Sequence, residues 1–248
     1  MRKKFLRNVE WGILICSILL LCIGLVALFS ATQAKGYSEF KKQILWFFVS
    51  IPVLIIVTVI DYNTIAKASP FFYALFIILL IGVLFTEPVN GARSWFNIKD
   101  GLFSFQPAEM AKVFIILFVA YVISLIQRDG RNEINRIPKL AIILATIGVT
   151  VVLIIAEPDY GTAAAYIVAF LLMIFVAGID KKYIIIAVAI VTIGVPLAYN
   201  FFLPAHAKQR IDTFLHPESD PRGSGYNVLQ SKLAIGAGQI TGMGVLEG

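Results

Sequence analysis

Two carboxylates separated by a single proline, Glu157 and Asp159, stand in the run Ala156-Glu157-Pro158-Asp159-Tyr160-Gly161-Thr162, between two strongly apolar stretches and with no basic residue beside them. Acids so placed need a counter-charge, either a bound cation or a basic group such as Arg93 or Arg210 supplied by another loop. The structural alternative is that Pro158 and Gly161 make a turn and Asp159 or Thr162 caps the helix after it. A second pair, Glu109 and Lys112, is three residues apart and so shares one helical face near the start of an apolar run. It reads either as a helix-start carboxylate neutralised by its neighbour or as a charged pair lining a polar path.

A third candidate region is the segment from Arg210 to Gly248, polar and punctuated by glycine in an otherwise apolar chain. Irregular backbone is stable only outside the hydrocarbon or where protein or water covers its amides, so this loop belongs at the bilayer surface or along a wet cavity. The connection between residues 87 and 106 is also long. Asn90-Gly91 and Asp100-Gly101 are turn signals there, and Trp95, Phe96, Phe103 and Phe105 suit the interfacial zone. Pro107 fits the first position of a helix, and Gln106 with Glu109 three residues on resembles a capping pattern.

The elements that must hold these residues are membrane helices. Of the 248 residues, 59% are hydrophobic and 15% charged, against roughly 45–50% and 25% in a soluble domain. The fold class is therefore an all-α polytopic membrane protein with about seven transmembrane helices and two large exterior loops. The expected spans are Trp11–Ala31, Ile44–Ile60, Phe71–Phe85, Ala108–Ile126, Leu140–Ala156, Thr162–Ala177 and Tyr183–Leu203. Most approach the roughly 20 residues that cross the hydrocarbon. The first is too long for a signal-peptide core and is read as retained. Without internal repeats or a linker, residues 1–248 form a single membrane domain.

Orientation follows from Lys and Arg in the short connections. One side carries Arg2, Lys3, Lys4, Arg7, Lys67, Arg128, Arg131, Arg136, Lys139, Lys181 and Lys182; the other carries Lys35, Lys41, Lys42, Arg93 and Lys99. This predicts a cytoplasmic N-terminus and places both long loops outside. The net charge of +6 then meets anionic membrane lipid; no basic stripe interleaved with aromatics points to nucleic acid. Cys16 and Cys22 diverge by about 120° on one helix and make no local pair. His206 and His216 lack ligand partners at zinc spacing.

Four motifs in order carry a family resemblance. They are Gly91-Ala92-Arg93-Ser94-Trp95, the run from Phe105 to Lys112, Pro158-Asp159-Tyr160-Gly161-Thr162, and the stretch from Asp220 to Gly236. Together they resemble the SEDS family of bacterial shape, elongation, division and sporulation proteins, and His216-Pro217-Glu218-Ser219-Asp220-Pro221 leans toward its RodA branch rather than FtsW. The similarity covers essentially the whole chain.

The resemblance implies a peptidoglycan glycosyltransferase that polymerises lipid II, an undecaprenyl-pyrophosphate-linked disaccharide peptide. It would act in the bacterial cytoplasmic membrane beside a class B penicillin-binding protein, for cell-wall elongation and cell shape. It further implies substrate-binding roles for Arg93, Trp95, Glu109, Lys112, Asp159, Arg210, Gln230 and Ser231. Transfer from a lipid-linked pyrophosphate needs positive charge at the leaving group, a cavity open to lipid and a carboxylate base. Arg93, Lys112 and Arg210 suit the phosphates. The cofactor is unknown, with a divalent cation at the pyrophosphate one option. Gly236-Ala-Gly238 and Gly242-Met-Gly244 would let backbone approach a substrate.

Two departures accompany the resemblance. Family members continue through a Pro-Glu and Thr-Asp-Phe motif, whose aspartate is taken as the catalytic base, and through three further helices. By that measure the chain is expected to be the C-terminally truncated front of such a domain, with no catalytic residue of its own. Glu157 replaces the family's usual glutamine and adds a negative charge beside Asp159. The alternatives are a flippase of lipid-linked precursors, with Glu109, Lys112 and Asp159 along its path, and a non-catalytic partner of a penicillin-binding protein.

Overall fold

The computed structural model describes residues 10–33, 36–88, 91–98, 103–240, 242–244 and 246, leaving aside the side chains of residues 98, 103, 198, 202 and 206. Its contacts divide the chain into two compact units, one within Met1–Asp61 and Pro204–Gly248, the other Tyr62–Leu203.

The second unit holds five apolar helices: α3 (Tyr62–Val83), α4 (Pro107–Ile126), α5 (Ile137–Ala156), α6 (Tyr160–Val176) and α7 (Lys181–Leu197). The first unit holds α1 (Trp11–Ala31) and α2 (Ser38–Val59), together with the shorter α8 (Ala205–Leu215) and α9 (Tyr226–Gly238). Six of the seven apolar helices are long and apolar enough to cross a membrane; α6, at 17 residues, is the shorter one. This is an all-α, multi-pass membrane protein, and each expected span coincides with one helix.

Two helices begin earlier than the apolar pattern alone predicts. α2 starts at Ser38 rather than Ile44, and α3 at Tyr62 rather than Phe71. Both carry polar first two turns containing Lys41, Lys42 or Lys67, which a hydropathy reading leaves outside the span. Both also pass through a proline, Pro52 and Pro70. In α3 the hydroxyl of buried Ser69 donates to the Ala66 carbonyl at 2.6 Å.

α4 organises the second unit. Its residues Ala108, Ala111, Ile115, Val119, Ile123 and Ile126 form one buried stripe at near four-residue spacing. They meet Phe76 and Leu80 of α3, Ile143, Ile147 and Ile154 of α5, and Ala163, Tyr166, Phe170 and Ile174 of α6. Lipid is as apolar as these side chains, so helix association rests on close packing and on the few interhelical hydrogen bonds. Ala108 and Ala111 admit neighbours closely, and Phe114 stacks on Phe72 and Phe76 of α3 with centroids 4.5 and 5.2 Å away. Tyr73 of α3 donates to the Thr146 carbonyl of α5 at 2.9 Å, and Tyr166 of α6 to the Ala108 carbonyl of α4 at 2.7 Å. α7 contributes no buried residue and ends in a π-helical turn, Ala198–Phe202.

In the first unit, Phe29 of α1 stacks on Tyr37 at 4.8 Å and meets Phe40 of α2 edge-on at 5.3 Å. The backbone amide of Leu246 donates to Ser30 of α1 at 2.8 Å. Cys16 and Cys22 are unbridged and exposed on α1.

Because the core is held by packing, its cost of truncation separates inside from outside. Leu80→Ala, at a wholly buried position, is expected to cost about 2–5 kcal/mol. Val113→Ala, on the exposed face of α4, should stay within about 0.5 kcal/mol. Unfolding in mild detergent checks both; equal losses would contradict the assignment of the α4 stripe.

Candidate functional site

Four helix ends meet at one end of the second unit: the C-terminus of α3, the N-terminus of α4, and the C-terminus of α5 with the N-terminus of α6 across the turn that joins them. The chain between α3 and α4 binds them together. An antiparallel pair of short strands, β1 (Phe96–Ile98) and β2 (Phe103–Phe105), pairs Phe96 with Phe105 and Asn97 with Ser104. The sequence had signalled the turns but not the pairing, since three-residue strands leave no periodic pattern to read. Asn90, Asp100 and Gly101 lie outside the described residues. Phe105 packs against the helical core and Phe96 lies beside Gly82, so these two aromatics lean on protein rather than standing alone at the interface.

The residues just before β1 are laid across the α5–α6 turn. The Arg93 amide donates to the Glu157 carbonyl at 3.1 Å, and the Ser94 hydroxyl reaches the same carbonyl at 3.5 Å. The Arg93 guanidinium donates to the Leu84 carbonyl at 3.2 Å, where it covers an open carbonyl at the end of α3 and complements the helix dipole. It is exposed and makes no ion pair with Glu157 or Asp159, so the pairing weighed from sequence does not form through this side chain. Trp95 follows it, 36% exposed.

Asp159 takes the capping role. Its carboxylate accepts from the Thr162 amide at 3.2 Å and from the Gln106 side chain at 2.8 Å. Gln106 was read as part of a capping pattern for α4, yet its side chain makes no cap bond there and crosses to Asp159 instead. A glutamine reaching 53 positions along the chain leaves no local signal in the sequence.

Glu109 and Lys112 pair on α4 at 3.0 Å, with side chains 55% and 32% exposed. The Lys112 ammonium also sits 6.0 Å from the centroid of the Tyr166 ring. Tyr166 was not among the residues singled out from sequence. Its hydroxyl ties α6 to the first turn of α4, and its ring backs the ion pair.

Glu157 is the unusual member. It is wholly buried, and by geometry neither carboxyl oxygen has a hydrogen-bond partner among the described residues. Burial pushes its carboxyl up to about 8; the Ser94 hydroxyl pulls against that and the Asp159 charge adds to it. It is therefore neutral at neutral pH, which answers the question of what balances two adjacent acids. Only Asp159 carries charge.

Of the other sequence candidates, Arg210 lies on α8, and Gln230 and Ser231 lie on α9, all exposed and all in the first unit. Ser231 bonds back to the Asn227 carbonyl at 2.8 Å. Ahead of α9, Asp220 accepts from the Gly223 amide at 3.0 Å, the Ser224 amide at 2.8 Å and the Ser224 hydroxyl at 3.2 Å. These bonds hold its carboxyl below the usual range, the Ser224 amide foremost. A Cβ at Gly223 would collide with the Asp220 carboxylate, and one at Gly225 with the Pro217 carbonyl, so the Asp-Pro-Arg-Gly-Ser-Gly run is read here as a built turn. Gly236 and Gly238 are helical, within α9. Among the described residues no three His, Cys, Asp or Glu side chains cluster to hold a metal. The Asp159 carboxylate already accepts from Gln106 and Thr162.

The comparisons with known proteins agree with this architecture. A model of the FtsW/RodA/SpoVE family, described as cell cycle proteins, matches residues 10–248, and the chain belongs to that family. It is 35% identical over 181 residues to the peptidoglycan glycosyltransferase MrdB of Escherichia coli K12, a match covering 73% of this chain and 47% of MrdB. It is 30% identical over 247 residues to the stage V sporulation protein E of Bacillus subtilis, covering 94% of this chain and 64% of that protein. The chain thus spans about half the length of MrdB. Its fold matches a chain solved in a study of how a peptidoglycan synthase complex coordinates polymerization and crosslinking, with TM-score 0.71, 25% identity, and coverage of 94% of this chain and 67% of that one. The crystal structure of the rod shape determining protein RodA of Thermus thermophilus shares the fold at TM-score 0.63 and 22% identity, covering 75% and 59%.

The buried acid makes stability depend on pH. Folded Glu157 keeps its proton up to about 8, whereas a solvated glutamate releases it near 4.5. The stabilisation is complete below about pH 4.5, declines across the window up to 8 and is lost above it. The thermal midpoint should fall as pH rises through that window, and Glu157→Gln should flatten the fall and raise the midpoint by several degrees at about pH 9. Superimposable profiles for the two proteins would show that Glu157 ionises as if exposed.

Proposed function

We propose that this chain acts in peptidoglycan glycosyl transfer of the RodA type, binding lipid II with its pyrophosphate at the end of the second unit where α3, α4 and the α5–α6 turn meet. The single observation that carries the reading is the family match across residues 10–248, with relatives described as peptidoglycan glycosyltransferases. Residues 1–248 are read as one domain of that family, and a class B penicillin-binding protein is the expected partner, in line with the synthase-complex neighbour.

The geometry supports particular roles. Lys112, on the first turns of α4, and Arg93, whose backbone bonds to the Glu157 carbonyl, are cations at this end, and both side chains are at least partly accessible. An exposed ion pair such as Glu109–Lys112 is worth only about 0–1 kcal/mol, so Lys112 can exchange its partner for a phosphate at little cost. Asp159, fixed by Gln106 and Thr162, orients the start of α6 beside them. Transfer forms a bond from the acceptor hydroxyl oxygen to the anomeric carbon and breaks the bond from that carbon to the pyrophosphate oxygen; the hydroxyl proton goes to a base. We assign that base to none of the three acids at this end: Asp159 is hydrogen-bonded as a cap, Glu109 is paired and Glu157 is protonated. For Arg210, Gln230 and Ser231, in the first unit, a substrate-binding role is proposed from the family resemblance alone.

We further infer that the N-terminus faces the cytoplasm, from the charge asymmetry of the connections. Ser94 is 1% exposed, so a reporter belongs at exposed Asn97. With Cys16 and Cys22 replaced by serine, Asn97→Cys and Ser224→Cys should react with an impermeant thiol reagent in intact cells and Asn132→Cys should not. Reaction at Asn132 without lysis overturns the orientation.

The function is tested with purified protein in nanodiscs and labelled lipid II. Lipid II should be retained, and Lys112→Met should weaken retention by about 10–100-fold, the scale of a lost charge-assisted hydrogen bond. Glycan strands should form when the chain is continued through the family's aspartate motif and fail when that aspartate is changed to alanine. Dequenching of labelled lipid II across vesicles without polymerisation would favour the flippase reading instead.

A further inference from the structure

At the opposite end of the second unit, away from the capped turn, an apolar cleft of about 530 Å³ runs between α5, α6 and α7. Leu140, Leu172, Phe175, Ile184, Val188 and Val191 are among its walls. Its size falls within the roughly 300–1,000 Å³ of small-ligand clefts. Along α7 its walls run from Tyr183 to Thr192, about 14 Å at 1.5 Å per residue, or about half of the roughly 30 Å hydrocarbon. That is the depth of one leaflet. A partner helix crossing the membrane would need a seam twice as long.

The mouth of the cleft is polar, hydrogen-bonded and basic. The connection between α4 and α5 and the connection between α6 and α7 are bonded to each other there. Gln127 donates to the Ala177 carbonyl at 2.7 Å, the Asp180 amide donates to Asn135 at 2.7 Å, and Tyr183 donates to the Asn135 carbonyl at 3.2 Å. Gly178 has φ +91°, and its missing Cβ leaves room for the Arg131 guanidinium, whose Nε lies 3.0 Å from where that carbon would sit. Lys182 rests 4.9 Å above the ring of Tyr183, itself a wall of the cleft, and pairs with Asp180 at 3.3 Å. Across the two connections and the helix starts that follow them, Arg128, Arg131, Arg136, Lys139, Lys181 and Lys182 outnumber Asp129, Glu133 and Asp180. Lys139 is spent on Glu133 at 2.6 Å, but Lys181 and Lys182 are exposed.

We propose that this cleft binds one acyl chain of an anionic phospholipid, with the headgroup phosphate held by Lys181, Lys182 and Arg131. An apolar slot one leaflet deep beneath a net positive rim matches a single molecule whose chain and phosphodiester are joined at that spacing. Each basic residue near an anionic headgroup favours it, and each wall residue excludes water from the chain. The proposal stands apart from the glycosyl-transfer reading, since it involves neither the capped turn nor lipid II.

Native mass spectrometry of the purified protein, titrated with phosphatidylglycerol or with phosphatidylcholine of the same chains, tests it. Phosphatidylglycerol should be retained about tenfold better, the scale of one to two basic residues meeting an anionic headgroup. The surface variant Lys181→Gln/Lys182→Gln should lose that preference while keeping the wild-type thermal midpoint. Ala187→Phe, which fills the slot, should lose retention of both lipids. Glycerol phosphate, which has the headgroup charge but no chain, should not compete. Equal retention of the two lipids, a preference untouched by the lysine pair, or displacement by glycerol phosphate alone would overturn the proposal. So would efficient cross-linking of Val188→Cys between copies, which would assign the cleft to a second chain.

Discussion

Inside a bilayer no water is present to satisfy a backbone that leaves its helix, and the second unit is arranged around that constraint. Four helix ends come together there, each exposing carbonyls or amides that need partners. The protein answers with its own connecting segments: Arg93 covers the end of α3, the backbone at Arg93 meets the Glu157 carbonyl, and Asp159 receives the first amides of α6. The hairpin of β1 and β2 then pins this arrangement to the aromatic surface of α3 and α4. These bonds give the backbone groups of the helix ends protein partners.

The same economy sets the charges. Two acids in one turn are tolerated because burial neutralises Glu157 and hydrogen bonds solvate Asp159. A single net charge is left beside an exposed, weakly coupled Glu109–Lys112 pair. Tyr166 ties α6 to the first turn of α4 behind that pair.

The helices were legible in the sequence because twenty-odd apolar residues have few other fates, and their ends were legible wherever Pro107 or Asp159 stood at the boundary. The polar starts of α2 and α3 were not, since Lys41, Lys42 and Lys67 read as loop until packing and helix geometry extend past them. At the site, Glu109–Lys112 was readable because three-residue spacing is local. Gln106 to Asp159, Tyr166 to Ala108 and Arg93 to Leu84 were not, because each depends on where distant helix ends come to rest. The burial of Glu157 was hidden for a related reason: the 91–95 segment that lies across its turn is more than 60 positions away in the chain.

Pro70 and Ser69 show how far such compensation reaches. A proline inside a helix lacks the amide that the carbonyl four residues back would receive, here that of Ala66. The Ser69 hydroxyl, wholly buried, supplies the missing proton to that carbonyl. The two neighbours therefore act as one physical unit: loss of the serine alone leaves the Ala66 carbonyl without its hydroxyl partner, whereas alanine at both positions restores an ordinary helical bond. Substitutions at these two sites are expected to travel together, and the effect of either depends on the state of the other.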